Sequence, residues 1–238
     1  MNLLKIQFQT PENIHAPFSR AIEILFEQEK NSLLMDFSLE YLYRETISLE
    51  EIEEEGFSKN DNLVWKGEVP QNWLNEIHFI KEKTIFSNKK EIEEDEEFYL
   101  VEFDKKSFYP KNPELISYFI EEVMQAVFEK LELESKLKIS LVKNSKEGVS
   151  KIELECSFFE RNAILIANKL GNESSKILAW QQSKSFLSEI FDGEFLEEGC
   201  DLKLPTREGI FINLGTENWY QKDKTWRATR PVRFLKDL

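Results

Sequence analysis

The stretch LLKIQFQTPENIHAPFSRAIEILFEQEK, residues 3–30, decides how the fold is read. Its first seven residues alternate, with Leu4, Ile6 and Phe8 on one side and Lys5, Gln7 and Gln9 on the other, the period of a half-buried strand. Thr10 then stands where a helix N-cap belongs and Pro11 at the first helical position. Ile14, Phe18, Ile22 and Leu25 recur at helical spacing, so the reading is a strand followed by an amphipathic helix to about residue 30.

Working outward, SLLMDFSLEYLYRETIS (32–48) places Met35, Phe37, Leu39, Tyr41 and Tyr43 on one face against Asp36, Ser38, Glu40 and Arg44, which predicts a second strand. LEEIEEEGFSKNDNLVWKGEVPQNW (49–73) carries Gly56, Gly67, Pro70 and a Ser-Lys-Asn-Asp-Asn cluster and reads as a short acidic helix and a long loop with a small turn. NEIHFIKEKTIF (75–86) resumes as a strand, and SNKKEIEEDEE (87–97) is a charged connector. FYLVEF (98–103) is again a strand. Asn112 and Pro113 open a helix marked by Leu115, Phe119, Val123, Val127 and Leu131.

KLKISLV (136–142) and SKIELECSFF (150–159) form a hairpin across KNSKEG, with Leu137, Ile139 and Leu141 on the side of Ile152, Leu154, Cys156 and Phe158. ERNAILIANKLG (160–171) reads as a short helix closed by Gly171. SSKILAWQQSKSFLSEIF (174–191) reads as another, with Ile177, Trp180, Phe186, Leu187 and Ile190 inward. GIFINL (209–214) and TWRATRPVRF (225–234) are the last strands, with GTENWYQKD a loop between them and Pro231 marking an edge.

The expected class is α+β: mainly antiparallel sheet with amphipathic helices packed on it. Strand, helix and strand recur from about residue 3 and from about residue 98, each with a Thr/Asn-Pro-Glu helix start at Thr10-Pro11-Glu12 and Asn112-Pro113-Glu114. The expectation is therefore two similar halves, 1–90 and 98–238, meeting in the charged connector. One continuous domain is the alternative.

Composition narrows the function. The 238 residues carry net charge -14 with 41% hydrophobic and 13% aromatic residues, so the 32% of charged residues belongs to the surface of a folded chain. From Lys203 onward eight bases face four acids, which leaves 23 bases and 41 acids, or -18, on residues 1–202. So acidic a body repels nucleic-acid phosphate and attracts basic proteins or its own basic tail. MNLLKIQFQT lacks the features of a secretory signal, and no apolar run approaches the roughly twenty residues of a membrane span, so the expected location is cytoplasmic without membrane contact.

Catalytic patterns are sparse. His15 and His78 have no sequence partners for a metal cluster or a Ser-His-Asp arrangement. Cys156 points with Leu154 and Phe158 into the expected core, and Cys200 is crowded by Glu197, Glu198 and Asp201, which disfavours a thiolate. The sequence has no phosphate-cradling glycine motif, and FDGEFLEEGCD (191–201) lacks EF-hand spacing. The remaining catalytic alternative is a Mg²⁺-dependent nuclease on EDEEFYLVEFDKK, with Asp95, Glu102 and Asp104 as metal-holding carboxylates and Lys106 activating water. The same acid-x-Lys fragment recurs at Glu134-Ser135-Lys136 and Asp201-Leu202-Lys203, so composition alone generates it. A second alternative is nucleic-acid binding by the tail aromatics and arginines.

The leading expectation is a non-enzymatic intracellular interaction factor (adaptor, inhibitor or immunity-type protein) whose acidic surface engages a protein partner with a basic surface, and which needs no cofactor or metal. Candidate partner-binding residues are Trp65, Trp73, Trp219, Tyr220, Trp226, Arg227, Arg230 and Arg233, because loop aromatics and arginines are common interface anchors. The tail arginines are expected first to pair with the protein's own carboxylates.

Overall fold

The computed structural model describes residues 2–88 and 93–229. The chain divides into two compact units, Met1–Phe128 and Glu129–Leu238, so the charged connector at 88–97 lies inside the first.

In the first unit, β1 (Asn2–Gln9) pairs on one side with β2 (Arg20–Glu29) and on the other with β6 (Phe98–Phe103). β3 (Ser32–Tyr41) and β4 (Leu63–Val69) extend one edge, and β7 (Lys106–Pro110) and β5 (Phe86–Ser87) the other, giving the order β4-β3-β2-β1-β6-β7-β5 with every pair antiparallel. Register aligns the apolar sides. Val101, Ile6, Ile24 and Phe37 form one buried row, and Leu4, Phe26 and Met35 another. Helices α2 (Trp73–Lys83) and α3 (Pro113–Lys130) bury Trp73, Ile77 and Ile80, and Ile116, Phe119, Val123 and Val127. Phe26 of the sheet meets Trp73 at 5.4 Å and Phe119 at 6.1 Å between ring centroids, joining both helices to one point of the sheet. A short α1 (Leu49–Glu54) lies between β3 and β4, opened by a capping box of Ser48 and Glu51.

The structure departs from the sequence expectations at several points. The helix expected after Thr10 is a loop, 10–19, leading into β2. The Thr10 hydroxyl accepts from the Arg20 amide at 3.0 Å and the Thr10 amide donates to the Arg20 carbonyl, so the would-be cap closes the loop's base instead. Ile22, Ile24 and Phe26 satisfy a period of two as the neighbouring strands require, while Ile14 and Phe18 remain exposed at 38% and 50%. Of residues 75–86, expected as a strand, 75–83 lie in α2 and only Phe86 reaches a strand, β5, because Trp73, Ile77 and Ile80 share a helical face and His78 and Phe79 face out. The expected loop around Trp65 contains β4.

The second unit holds β8 (Leu137–Ser145), β9 (Gly148–Ser157), β10 (Asn162–Lys169), β11 (Asn172–Ala179), α4 (Trp180–Phe191), β13 (Gly209–Asn213) and β14 (Trp219–Gln221). Its sheet runs β11-β10-β9-β8-β13-β14, again antiparallel throughout. A separate ribbon pairs β12 (Glu194–Phe195) with β15 (Trp226–Arg227). The β8–β9 hairpin has the expected register, with Leu137 opposite Cys156 and Ile139 opposite Leu154. The helix expected at 160–171 is instead β10 and its turn: Leu170 and Gly171, at φ 51° and 90°, make a two-residue connection to β11. Ile177, expected inward on a helix, sits on β11 and is 73% exposed.

The α+β class with antiparallel sheets therefore holds. The strand–helix–strand repeat does not have the expected form, since β6 belongs to the first sheet and no helix follows β1. A different correspondence replaces it. Numbered within each unit, both sheets read fourth, third, second, first, sixth, seventh; the fifth strand extends the edge in the first unit and joins the separate ribbon in the second, and a helix follows the fourth strand in each.

Phe26→Ala is expected to lower stability by about 3–5 kcal/mol in urea unfolding, whereas Ile177→Ser should change it by no more than about 0.5 kcal/mol. Similar losses at both positions would contradict the assigned faces.

Candidate functional site

The residues of the nuclease alternative are not brought together. Asp95 is exposed before β6, Asp104 follows its far end, and the six intervening strand residues separate them by roughly 20 Å. Asp104 and Lys105, at φ 50° and 65°, are the two central residues of the β6–β7 hairpin turn, and Asp104 pairs with Lys81 at 2.7 Å. Glu102 accepts a hydrogen bond from Ser107 at 3.1 Å, and Lys106 opens β7 exposed to solvent. Among the described residues no group of His, Cys, Asp and Glu is arranged to hold a metal ion.

The aromatic candidates divide. Trp73 and Trp226 are fully buried and Tyr220 is 7% exposed, so these three are core residues and not surface anchors. Trp226 stacks on Phe195 with rings 7° from parallel, and a Cβ on Gly193 would come within 2.9 Å of its indole nitrogen, so that contact depends on a glycine. Trp65 and Trp219 are half-buried at β4 and β14; Trp219 exchanges backbone hydrogen bonds with Asp201. Arg227 pairs with Glu194 at 3.5 Å across the β12–β15 ribbon, as expected of a basic tail on an acidic body. Both groups are exposed, so the pair contributes no more than about 1 kcal/mol. Arg230, Arg233 and Pro231 lie outside the described residues.

A different cluster stands out when the two units are compared. The connections from first to second and from third to fourth strand fall at the same end of an antiparallel meander. In the second unit each is two residues long, Lys146-Glu147 and Leu170-Gly171. In the first unit they expand to residues 10–19 and 42–62. Loops of that length on a rigid scaffold are where binding residues concentrate.

Arg44 holds these two loops together. Its side chain is 9% exposed; the guanidinium donates to Asp61 and to the Ser58 carbonyl, both at 2.7 Å, and to the Pro17 carbonyl at 3.4 Å. It also lies 3.8 Å above the Tyr41 ring and 4.7 Å from the Phe57 ring, and Phe57 meets Phe18 of the other loop at 5.5 Å. Burial pulls the Asp61 carboxyl upward, but hydrogen bonds from Ser58 and Arg44 outweigh it and hold the group below the usual carboxylate range.

Beside this clamp the loops enclose a hollow of about 570 Å³ lined by Glu12, Ile14, His15, Ala16, Tyr43, Thr46 and Ile47. Tyr43 is 51% exposed and held in the left-handed region at φ 60°, an uncommon backbone state for an aromatic residue. A second hollow of about 170 Å³ shares Glu12 and adds Glu93, Glu94 and Glu96; the Glu12 amide donates to the Glu94 carbonyl. Among the described residues no lysine or arginine lines either hollow. Sequence reading missed Glu12, Ile14, Tyr43, Arg44 and Asp61 as a group. The turn-rich 58–62 cluster signalled the loop but not its partner.

Comparisons with family models, with curated proteins and with solved structures found no match. The two thiols are separate; Cys156 is buried and, with Glu129 and Glu155 nearby, is pushed up to about 12.

Two outcomes follow. Because its folded-state pKa is depressed, Asp61 stabilises the fold above the unfolded carboxylate range. The stability difference between wild type and Asp61→Asn should hold near neutrality and shrink below about pH 4. A difference independent of pH would remove the ionic part of the clamp. Iodoacetamide at mildly alkaline pH should modify Cys200 alone in the folded protein and both thiols after unfolding, read by mass spectrometry. Labelling of Cys156 in the folded protein would contradict its placement.

Proposed function

We propose that the chain is a non-enzymatic protein-interaction factor, of the adaptor, inhibitor or immunity type, whose acidic surface engages a basic protein partner. The observation that carries this reading is the pair of expanded, Arg44-clamped loops on the first unit, where the second unit has two-residue turns. A preorganised apolar hollow bordered by carboxylates offers shape and charge for recognition, and among the described residues no group of His, Cys, Asp and Glu is arranged to hold a metal ion. The partner-binding role expected of the tail moves to Tyr43 and its neighbours, since Tyr220 and Trp226 are committed to the core.

The matching strand order also supports reading the chain as two diverged copies of one unit, beginning at β1 and β8, of which the first was elaborated for binding. A cytoplasmic location suits two separate reduced thiols.

Tagged full-length protein recovered from its native host, with nuclease treatment in parallel, should retain a stoichiometric protein partner that is lost in Tyr43→Asn. Asparagine tolerates the left-handed backbone and removes the ring. Recovery of nucleic acid alone, or of a partner indifferent to Tyr43, would overturn this reading.

A further inference from the structure

We propose that the free edge of β4 pairs with β4 of a second copy of this chain, antiparallel about a two-fold axis at Gly67, so that Lys66 of each copy stands opposite the partner's Glu68. This association uses a surface separate from the clamped loops and does not depend on the interaction reading above.

β4 closes one end of the first sheet, and among the described residues no strand pairs with its other side. Its register with β3 is unbroken from Leu63 to Val69, so neither a bulge nor a proline blunts the edge. Which groups are free follows from the β2–β3 hairpin. Glu29 and Ser32 flank its two-residue turn as the closing hydrogen-bonded pair, so by alternation β3 bonds to β4 through Leu33, Met35, Phe37 and Leu39. The Tyr41 amide agrees: it is turned to that side and donates to the Asn62 side chain at 2.8 Å. The amides and carbonyls of Val64, Lys66 and Glu68 therefore point away from the sheet. Their side chains all stand on the face opposite the buried Val69, and Val64 is 73% exposed.

Symmetry and charge select the occupant and its register. An antiparallel strand that pairs with its own copy about a two-fold axis places one residue opposite itself. Lys66 or Glu68 in that place sets like charges face to face, and Trp65 there leaves Lys66 opposite Val64. Gly67 there sets Lys66 and Glu68 in opposition twice, and those pairs exchange the free backbone hydrogen bonds. Each lysine then lies between its own Asp36, 2.7 Å away, and the partner's Glu68, so the charge that guards a lone edge is neutralised across it. The glycine suits the axis. A Cβ on Gly67 would come within 2.7 Å of Trp65, whose half-buried indole lies over it. With no side chain at the axis the two backbones approach closely, and the indoles of both copies meet over the paired glycines. The edge strand β11 of the second sheet offers no equivalent, because its outward backbone groups belong to Glu173, Ser175 and Ile177, with no cation among them.

The test is sedimentation equilibrium of the full-length protein between about 5 and 200 µM, in about 0.15 M salt, where the net charge of -14 is screened beyond about 8 Å but contacting ion pairs are not. The wild-type mass should rise with concentration toward twice that of the monomer. Lys66→Glu and Glu68→Lys, each alone, should weaken association at least tenfold. An equimolar mixture of the two variants should regain it, because each supplies the charge the other lacks at the opposed positions. In the wild type alone, hydrogen exchange resolved by NMR should show the Lys66 and Glu68 amides gaining protection as concentration rises. A wild type that stays monomeric, a dimer that survives both single variants, or a dimer whose Lys66 and Glu68 amides stay unprotected would overturn the inference. So would a mixture of folded variants that remains monomeric.

Discussion

Both sheets obey one constraint: each first strand is flanked on both sides, and every neighbour must turn the same face inward. In the first unit this fixes Ile6 between Ile24 and Val101; in the second it fixes Leu141 between Ile152 and Ile212. A slip of one residue on β1 would exchange Leu4, Ile6 and Phe8 for Lys5 and Gln7 in the core. The first-unit helices can pack only because that face is continuous, with Phe26 touching both Trp73 and Phe119. With the sheet supporting itself in this way, the connections at its end were free to lengthen.

The elaborated loops show what that freedom permits. Residues 10–19 and 42–62 contribute little of the first unit's buried apolar core beyond Ile52, and Arg44 joins them together with the Phe18–Phe57 ring contact and the Leu42 amide on the Ser19 carbonyl. Its guanidinium combines hydrogen bonds with contact to two aromatic faces, which an ammonium could not reproduce with the same geometry. The second unit makes its corresponding turns with two residues each, Lys146-Glu147 and Leu170-Gly171.

The sequence made strands legible where alternation was unopposed, as in Leu4 to Phe8, Met35 to Leu39 and Ile139 to Leu141, and it marked α3 through Asn112-Pro113 and its apolar stripe. It misled where two periods coexisted. Ile14, Phe18 and Ile22 fit a helix while Ile22, Ile24 and Phe26 fit a strand, and only the neighbouring strands decide between them. After the apolar stretch 162–169, Gly171 serves equally as a helix stop or a hairpin turn, and sheet pairing made it the turn. The tail tryptophans looked like surface anchors because short strands and a two-residue ribbon leave little periodicity to read. The candidate site was illegible for another reason: Arg44 meets Pro17, Ser58 and Asp61 only through tertiary approach, and nothing in their spacing announces it.

The central claim is that Arg44 makes two long loops into one preformed surface. Hydrogen–deuterium exchange on the free protein, wild type against Arg44→Met, tests it most directly. The account predicts protected amides at Thr10, Ser19 and Leu42, whose partners are the Arg20, His15 and Ser19 carbonyls, and loss of that protection in both loops together in the variant while β1 and β2 keep theirs. Loops that exchange freely in the wild type, or that keep their protection without Arg44, would contradict it.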